Sequence, residues 1–326
     1  MPPRLDSDVL RIIIQYAANS ELDSSERFYP DWSKYQWRDR ARLLRRLALV
    51  NSQWRSLAQL ELDSYLLVTS FNYHLVLRAA QRGALARRAK KVVTLWIGNS
   101  SDPRALDSIF EQCEEVQDLE NYGGTFSLNS LAKAKHLRSL TLHNVTLYGG
   151  HDDLVLPCRL SSVSLPSFGP FRWCDWKTLR VAAEGSLRHL RIGKLPHPQV
   201  DYVCDTMLHW FQNVETLDLG YENEEALPLL SHCDKLVQLR LNIVDLSPAL
   251  PILTRSLLSL DISSRGASAW VEHLLFLRTA LGKFPLDTLE SLTIQRRGPS
   301  DGRDPGTPLH DVVQVAKARG IEVVLR

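Results

Sequence analysis

The chain has 326 residues, of which 44% are hydrophobic and 23% charged, a composition that excludes a largely disordered protein. Its net charge is only +2, but residues 1–91 carry 16 Lys/Arg against 9 Asp/Glu, a net +7, so the remainder carries −5. No apolar run approaches the ~20 residues that span a bilayer, and the first residues lack a secretory signal pattern, so we expect neither a membrane span nor secretion.

Residues 1–68 predict three helices. The first, LDSDVLRIIIQYA (5–17), follows an acidic or hydroxyl N-cap. Its apolar stripe has helical spacing and consists of Val9, Ile12, Ile13 and Tyr16. A second helix, DRARLLRRLALV (39–50), ends at Asn51-Ser52, a pair that caps a third helix over 53–62. The apolar and basic stretch around Asn51 is therefore predicted to be the corner between two packed helices.

These residues resemble the F-box, whose usual pattern is Leu-Pro-x-Glu-Val-Leu, a leucine-rich second helix and then Val-x-x-x-Trp. The matching residues are Leu5, Asp8, Val9 and Leu10 for the first part, and Leu47, Val50 and Trp54 for the second. The chain departs from the pattern at Asp6, which replaces the proline, and at an insert over residues 19–38.

The resemblance implies that the helices dock on a Skp-type adaptor of a cullin-RING ubiquitin ligase. The adaptor-binding residues would then be Leu5, Val9, Leu10, Ile13, Leu47, Val50 and Trp54. A second interpretation stays open, in which residues 1–68 form only a helical cap over the apolar end of the part that follows.

Residues 69–91 are predicted to be a basic helical linker. Six basic residues and no acid lie in it: Arg78, Arg82, Arg87, Arg88, Lys90 and Lys91. Nucleic acid or an anionic membrane could bind such a segment, but no aromatic residue interleaves these charges, so we do not expect nucleic acid as the partner.

From residue 92 on, a six-residue sequence motif, which we call the phrase, recurs nine times. It consists of an apolar residue, two free positions, an apolar residue, one free position and an apolar residue. The successive spacings are 24, 21, 23, 27, 27, 22, 21 and 32 residues, and all but the last fall within the period of leucine-rich repeats. One phrase departs, because Asn121 occupies an apolar position. The pattern predicts a solenoid over 92–326, with a curved parallel sheet inside and helices on the convex side.

In each phrase the free position between the second and third apolar residues should face the concave side, since alternate side chains of a strand point to opposite faces. Four consecutive members of this row, Arg191, Asp218, Arg240 and Asp261, alternate in charge. Either they form a ladder of ion pairs that satisfies its own charges, or they form a surface that recognises polar groups on a partner. The predicted substrate-binding residues are Trp96, Glu120, Thr141, His189, Arg191, Asp218, Gln238, Arg240, Asn242 and Asp261.

The segment LHDVVQVAKARGIEVVL (309–325) predicts a helix that ends at Gly320 and a final strand, which together would cap the repeats. The five scattered cysteines have no metal-ligand spacing. Cys113 and Cys233 stand three residues before a phrase and are interpreted as buried core thiols. We therefore expect reduced thiols in a cytoplasmic or nuclear protein.

Nucleotide-binding and hydrolase motifs are absent from the sequence, and the ten histidines are scattered. We expect no enzyme, cofactor or metal. The predicted fold is α/β, an F-box-like helical module followed by a leucine-rich-repeat solenoid, an architecture that resembles ubiquitin-ligase substrate receptors. The rival functions are a repeat scaffold unrelated to ubiquitination and a nucleic-acid or phospholipid binder that uses residues 78–91.

Overall fold

The computed structural model describes residues 6–20, 30–69, 72–82, 92–100, 103–151, 153–168, 173–194, 208–220, 224–241, 256–265, 288–297 and 306–325, with parts of 271–282. The chain is mixed α/β and forms two compact units. Unit 1 comprises Met1–Gly149 with Leu156–Cys158, and unit 2 comprises Gly150–Val155 with Arg159–Arg326. Within the described ranges, no helix is long and apolar enough to cross a bilayer. The predicted boundaries at 68 and 91 stay a prediction.

Unit 1 begins with three helices that pack on one another: α1 (Ser7–Ser20), α2 (Pro30–Leu47) and α3 (Ser52–Asp63). Their buried core consists of Leu10, Ile14, Leu44 and Ala58. Helix α2 starts at Pro30, a residue suited to the first turn because its missing N–H has no partner there in any case. The second half of the predicted insert at 19–38 is therefore helical.

The corner between α2 and α3 is built as predicted. The Asn51 side-chain oxygen accepts a hydrogen bond from the backbone N–H of Trp54 at 3.0 Å, which caps α3. After α2, the chain turns through two backbone hydrogen bonds. The N–H of Leu49 donates to the carbonyl of Arg46, and the N–H of Val50 donates to the carbonyl of Leu47. This local hydrogen bonding explains why an apolar, basic helix stops at Asn51 and a new one starts.

Among its described residues, the rest of unit 1 contains four strands, and each neighbouring pair is parallel in the order β1-β2-β3-β4. The elements are β1 (Tyr65–Val68), α4 (Tyr73–Gln81), β2 (Thr94–Ser100), α5 (Pro103–Phe110), β3 (Asp118–Ser127), α6 (Leu128–Leu131) and β4 (Ser139–Tyr148). Strand β1 lies within residues 1–68, which were predicted to stay outside the recurring pattern. Its backbone pairs with β2, so the sheet starts one strand before the first phrase.

The phrases of unit 1 align in register. Leu95 pairs with Leu119, which in turn pairs with Leu140, and all three side chains are buried. The next apolar position of β3 is occupied by Asn121, which is only 1% exposed. Neither its amide nitrogen nor its amide oxygen has a hydrogen-bond partner in the described part of the chain. The strand pairing therefore continues in register through Asn121, although a polar amide is unfavourable in an apolar core.

In the part of unit 2 that the structure describes there are seven strands in the order β5 to β11, and each neighbouring pair is parallel. The second apolar residues of its phrases again align, from Val163 through Leu190 to Leu292. The elements are β5 (Ser162–Phe168), α7 (Trp173–Ala183), β6 (His189–Lys194), β7 (Thr216–Leu219), a 3-10 helix (Glu224–His232), β8 (Gln238–Leu241), β9 (Ser259–Arg265), β10 (Ser291–Arg297), α8 (Gly306–Ala318) and β11 (Glu322–Leu325).

The predicted C-terminal helix and strand are confirmed. Helix α8 starts at Gly306, three residues before the predicted start at 309, and Gly320 follows it with a φ of 76°, the left-handed conformation that ends helices. Strand β11 then pairs with β10. Cys113 and Cys233 are fully buried, so the interpretation as core thiols is confirmed as well.

Candidate functional site

The three-helix part of unit 1 exposes an apolar surface, which we call the helical face. On α1 it consists of the stripe Val9, Ile12, Ile13 and Tyr16, and at the α2–α3 corner of Leu49 and Val50. The exposed fraction is 65% for Ile12, 78% for Tyr16 and 79% for Leu49. Helix α1 therefore carries two apolar stripes, because Leu10 and Ile14 fill the core while this stripe faces outward. An apolar stripe that is exposed along one side of a helix, as on α1, indicates a partner.

Three of the predicted adaptor-binding residues, Val9, Ile13 and Val50, lie on the helical face. The assignment of Leu10 is wrong, since its side chain is 1% exposed within the helical core and no partner can reach it. Leu47 and Trp54 are half-buried and pack against that core, so their role is at least partly structural. Leu5 lies outside the described residues. The prediction omitted Ile12, Tyr16 and Leu49, although the helical spacing of the α1 stripe was visible in the sequence.

A buried arginine connects the three helices to the sheet. The Arg40 guanidinium is 3.2 Å from a carboxylate oxygen of Glu61 and lies 3.6 Å above the centre of the Tyr65 ring. Burial lowers the pKa of Arg40 and raises the pKa of the Tyr65 hydroxyl. Sequence reasoning missed this residue, because nothing in the local pattern distinguishes it from the neighbouring exposed arginines.

The charged row of unit 2 forms a continuous ladder on the side of the sheet opposite the apolar core. Arg191 lies 3.3 Å from Asp218, Arg240 lies 3.7 Å from the same carboxylate, and Arg240 Nε donates to Asp261 at 2.9 Å. All four side chains are mostly buried. The four charges are therefore paired within the row, as the ladder interpretation requires, although Oδ1 of Asp261 is buried with no hydrogen bond among the described residues.

The other predicted substrate-binding residues differ in accessibility. His189 is exposed in unit 2, whereas Gln238 is half-buried, as are Glu120 and Thr141 in unit 1. Asn242 lies outside the described residues, and for Trp96 the structure describes only the backbone, which continues the row in β2. Of the predicted linker, Arg78 and Arg82 are exposed, whereas Arg87, Arg88, Lys90 and Lys91 lie outside the described residues.

Unit 1 also contains a groove of about 1030 Å³, which we call the acidic groove. Its floor includes the first residues of three consecutive strands, Tyr65, Thr94 and Asp118, which pair in register. Its walls come from α1, α3 and the segment 111–117 that follows α5. The Thr94 hydroxyl donates to Asp118 at 3.3 Å, and burial raises the pKa of that carboxyl. No spacing in the sequence predicted this groove.

Comparison with models of known protein families finds no match to the chain, and comparison with curated proteins finds no similar sequence. The functional assignment therefore depends on three surfaces and their chemistry: the helical face, the ladder of unit 2 and the acidic groove.

Proposed function

We propose that the protein is a non-enzymatic substrate receptor of a cullin-RING ubiquitin ligase, cytoplasmic or nuclear. The F-box-like helices dock on a Skp-type adaptor, and the leucine-rich repeats hold a protein substrate on the face opposite their apolar core. The observation that carries the proposal is the helical face, an outward apolar stripe on a helix whose other stripe already fills a core.

The energetics of protein interfaces support docking at this face. A few buried apolar and aromatic anchors dominate the affinity of most interfaces, and Ile12, Tyr16 and Leu49 expose most of their side chains for such a role. An apolar stripe that stays in water gains nothing from its hydrophobicity, whereas burial against a partner gives ~1.5–3 kcal/mol for a large side chain. A plain helical cap for the repeats would not need this outward stripe.

The experiment is co-purification with a purified Skp-type adaptor. The variant Ile12→Asp with Leu49→Asp places two carboxylates on the helical face. It should weaken adaptor binding by more than ~30-fold, since the loss of even one interface anchor costs ~2 kcal/mol or more. Both positions are exposed, so the melting temperature Tm should stay within a few degrees of wild type.

A matched control is Leu75→Asp, because Leu75 is 67% exposed on α4, outside the three-helix core. This variant should bind the adaptor like wild type. The proposal fails if wild type does not bind the adaptor, or if the double variant binds as well as the control. In the first case the scaffold interpretation gains support, because the repeats would then act without a ligase.

A further inference from the structure

The corner between α2 and α3 combines unpaired positive charge with exposed apolar side chains. Residues 40–60 contain five arginines and no Asp or Glu. Two of the five, Arg40 and Arg42, have carboxylate partners, at 3.2 and 3.0 Å. The other three are exposed and form no ion pair with any described residue: Arg45, Arg46 and Arg55. The corner is therefore a source of positive potential that the described chain does not neutralise.

Local hydrogen bonds gather these charges around two apolar residues. Arg45 and Arg46 lie in the last turn of α2, and the carbonyl of Arg46 accepts a hydrogen bond from the N–H of Leu49. On the other side of the corner, Nε of Arg55 donates to the carbonyl of Ala48 at 3.4 Å. Leu49 is 79% exposed and its neighbour Val50 is 58% exposed. We call these five residues the basic corner: Arg45, Arg46, Leu49, Val50 and Arg55.

The helix dipoles account for only part of this arrangement. The negative end of a helix favours a cation in its last turn, which suits the two arginines of α2. Arg55 is the fourth residue of α3, near the positive end, where a cation is disfavoured. The carboxylates of Asp6 and Asp8, beside the start of α1, form no ion pair with it or with any other described residue. An anionic partner would therefore offset a charge that the fold itself leaves unfavourable.

We infer that the basic corner binds the surface of an anionic phospholipid bilayer. Leu49 and Val50 enter the boundary between head groups and acyl chains, while the guanidiniums, each on a long apolar stem, contact the lipid phosphates. A guanidinium suits this role because it can donate two parallel hydrogen bonds to one phosphate. Nucleic acid fits less well, because it would leave both apolar side chains in water and the basic corner contains no aromatic residue for base stacking.

This inference goes beyond the proposed function and does not depend on it, since a bilayer can be bound without a ligase. A Skp-type adaptor on the helical face would account for the exposure of Leu49 and Val50, but it leaves the three arginines unexplained. Because the two apolar residues belong to both surfaces, a bound adaptor would cover them and prevent contact with the bilayer. The attachment is peripheral, through a corner between two helices.

The test is co-sedimentation of the full chain, without adaptor, with vesicles of phosphatidylcholine that contain about 30% phosphatidylserine. Wild type should sediment with these vesicles at low salt and much less with phosphatidylcholine alone. Each arginine near an anionic surface strengthens binding about fivefold, so Arg45→Gln with Arg46→Gln should weaken it by roughly 25-fold. Leu49→Ser should weaken it by about fivefold or more, because an apolar side chain no longer enters the bilayer.

The matched control removes two positive charges from unit 2, by Arg159→Gln with Lys317→Gln. Both side chains are exposed and form no ion pair with described residues, so vesicle binding should change less than about twofold. The inference is overturned if wild type does not bind the anionic vesicles, if the control weakens binding as much as the double variant of α2, or if Leu49→Ser binds like wild type. A duplex oligonucleotide that binds wild type and Leu49→Ser alike, without any vesicle binding, would identify nucleic acid as the partner instead.

Discussion

Replacing Asn121 by Leu should stabilise unit 1, although most substitutions in a core destabilise. The side chain lies between Ile97 and Leu142 in the parallel sheet, is 1% exposed, and has no hydrogen-bond partner on either amide atom within the described residues. A buried amide in this position lost its bonds to water on folding and gained none in return. Leucine is close to asparagine in shape and has no polar atom to desolvate.

The magnitude follows from the two unpaired atoms. Each unsatisfied buried polar group costs ~1–3 kcal/mol, and the added apolar burial contributes in the same direction. Allowing for imperfect packing of the second methyl group, we expect Asn121→Leu to raise the free energy of unfolding by about 2–4 kcal/mol. For a unit of this size, each kcal/mol moves Tm by ~2–4 °C, so Tm should rise by roughly 4–16 °C.

The assay is thermal melting followed by circular dichroism, together with amide hydrogen exchange in β3, which reports on unit 1 alone. The control is Asn129→Leu, because Asn129 is exposed on α6 and the change there should move Tm by less than ~2 °C. An unchanged or lowered Tm for Asn121→Leu would refute the reasoning, since it would mean that the amide is satisfied in solution or that leucine does not fit.

Two further predictions concern unit 2. Arg240→Glu would place a third carboxylate between Asp218 and Asp261, so Tm should fall by ~5 °C or more. A fall of less than ~2 °C would show that these ion pairs do not contribute to the stability of unit 2. Burial raises the pKa of the Cys233 thiol from 9.0 to about 12, so the thiol stays protonated in the native state while it ionises in the unfolded state. Its contribution to stability is therefore complete below pH 9 and declines as pH rises from there towards 12. Cys233→Ala should lose less stability than wild type over that range in chemical denaturation, and an equal loss would contradict the assigned pKa.

Several features of this protein follow from residues that are close together in the chain. Asn51 caps α3 through a bond to a backbone N–H three residues away, and Gly320 ends α8 through its own left-handed conformation. The phrases align because each one has the alternation of a strand and neighbouring phrases are nearly equally spaced. The register even tolerates Asn121, since the leucines on either side determine which residues face the core.

Other features were not readable from local patterns. Both stripes of α1 are apolar, and only packing against α2 and α3 selects Leu10 and Ile14 for the core and leaves Ile12 outside. The burial of Arg40 depends on Glu61 and Tyr65, which come from other elements. In the same way, β1 pairs with the sheet although it precedes the first phrase in the chain.

The candidate sites show the same division. The sequence by itself determined the strand alternation that puts the charged row and the apolar row on opposite faces of the sheet. Only the tertiary structure decided that the charges of unit 2 pair with one another, and that α1, α3 and the segment after α5 enclose a groove in unit 1. The physical reason is the distance along the chain over which each interaction acts. Capping and alternation depend on neighbouring residues, whereas burial and charge balance depend on segments that meet only when the chain has folded.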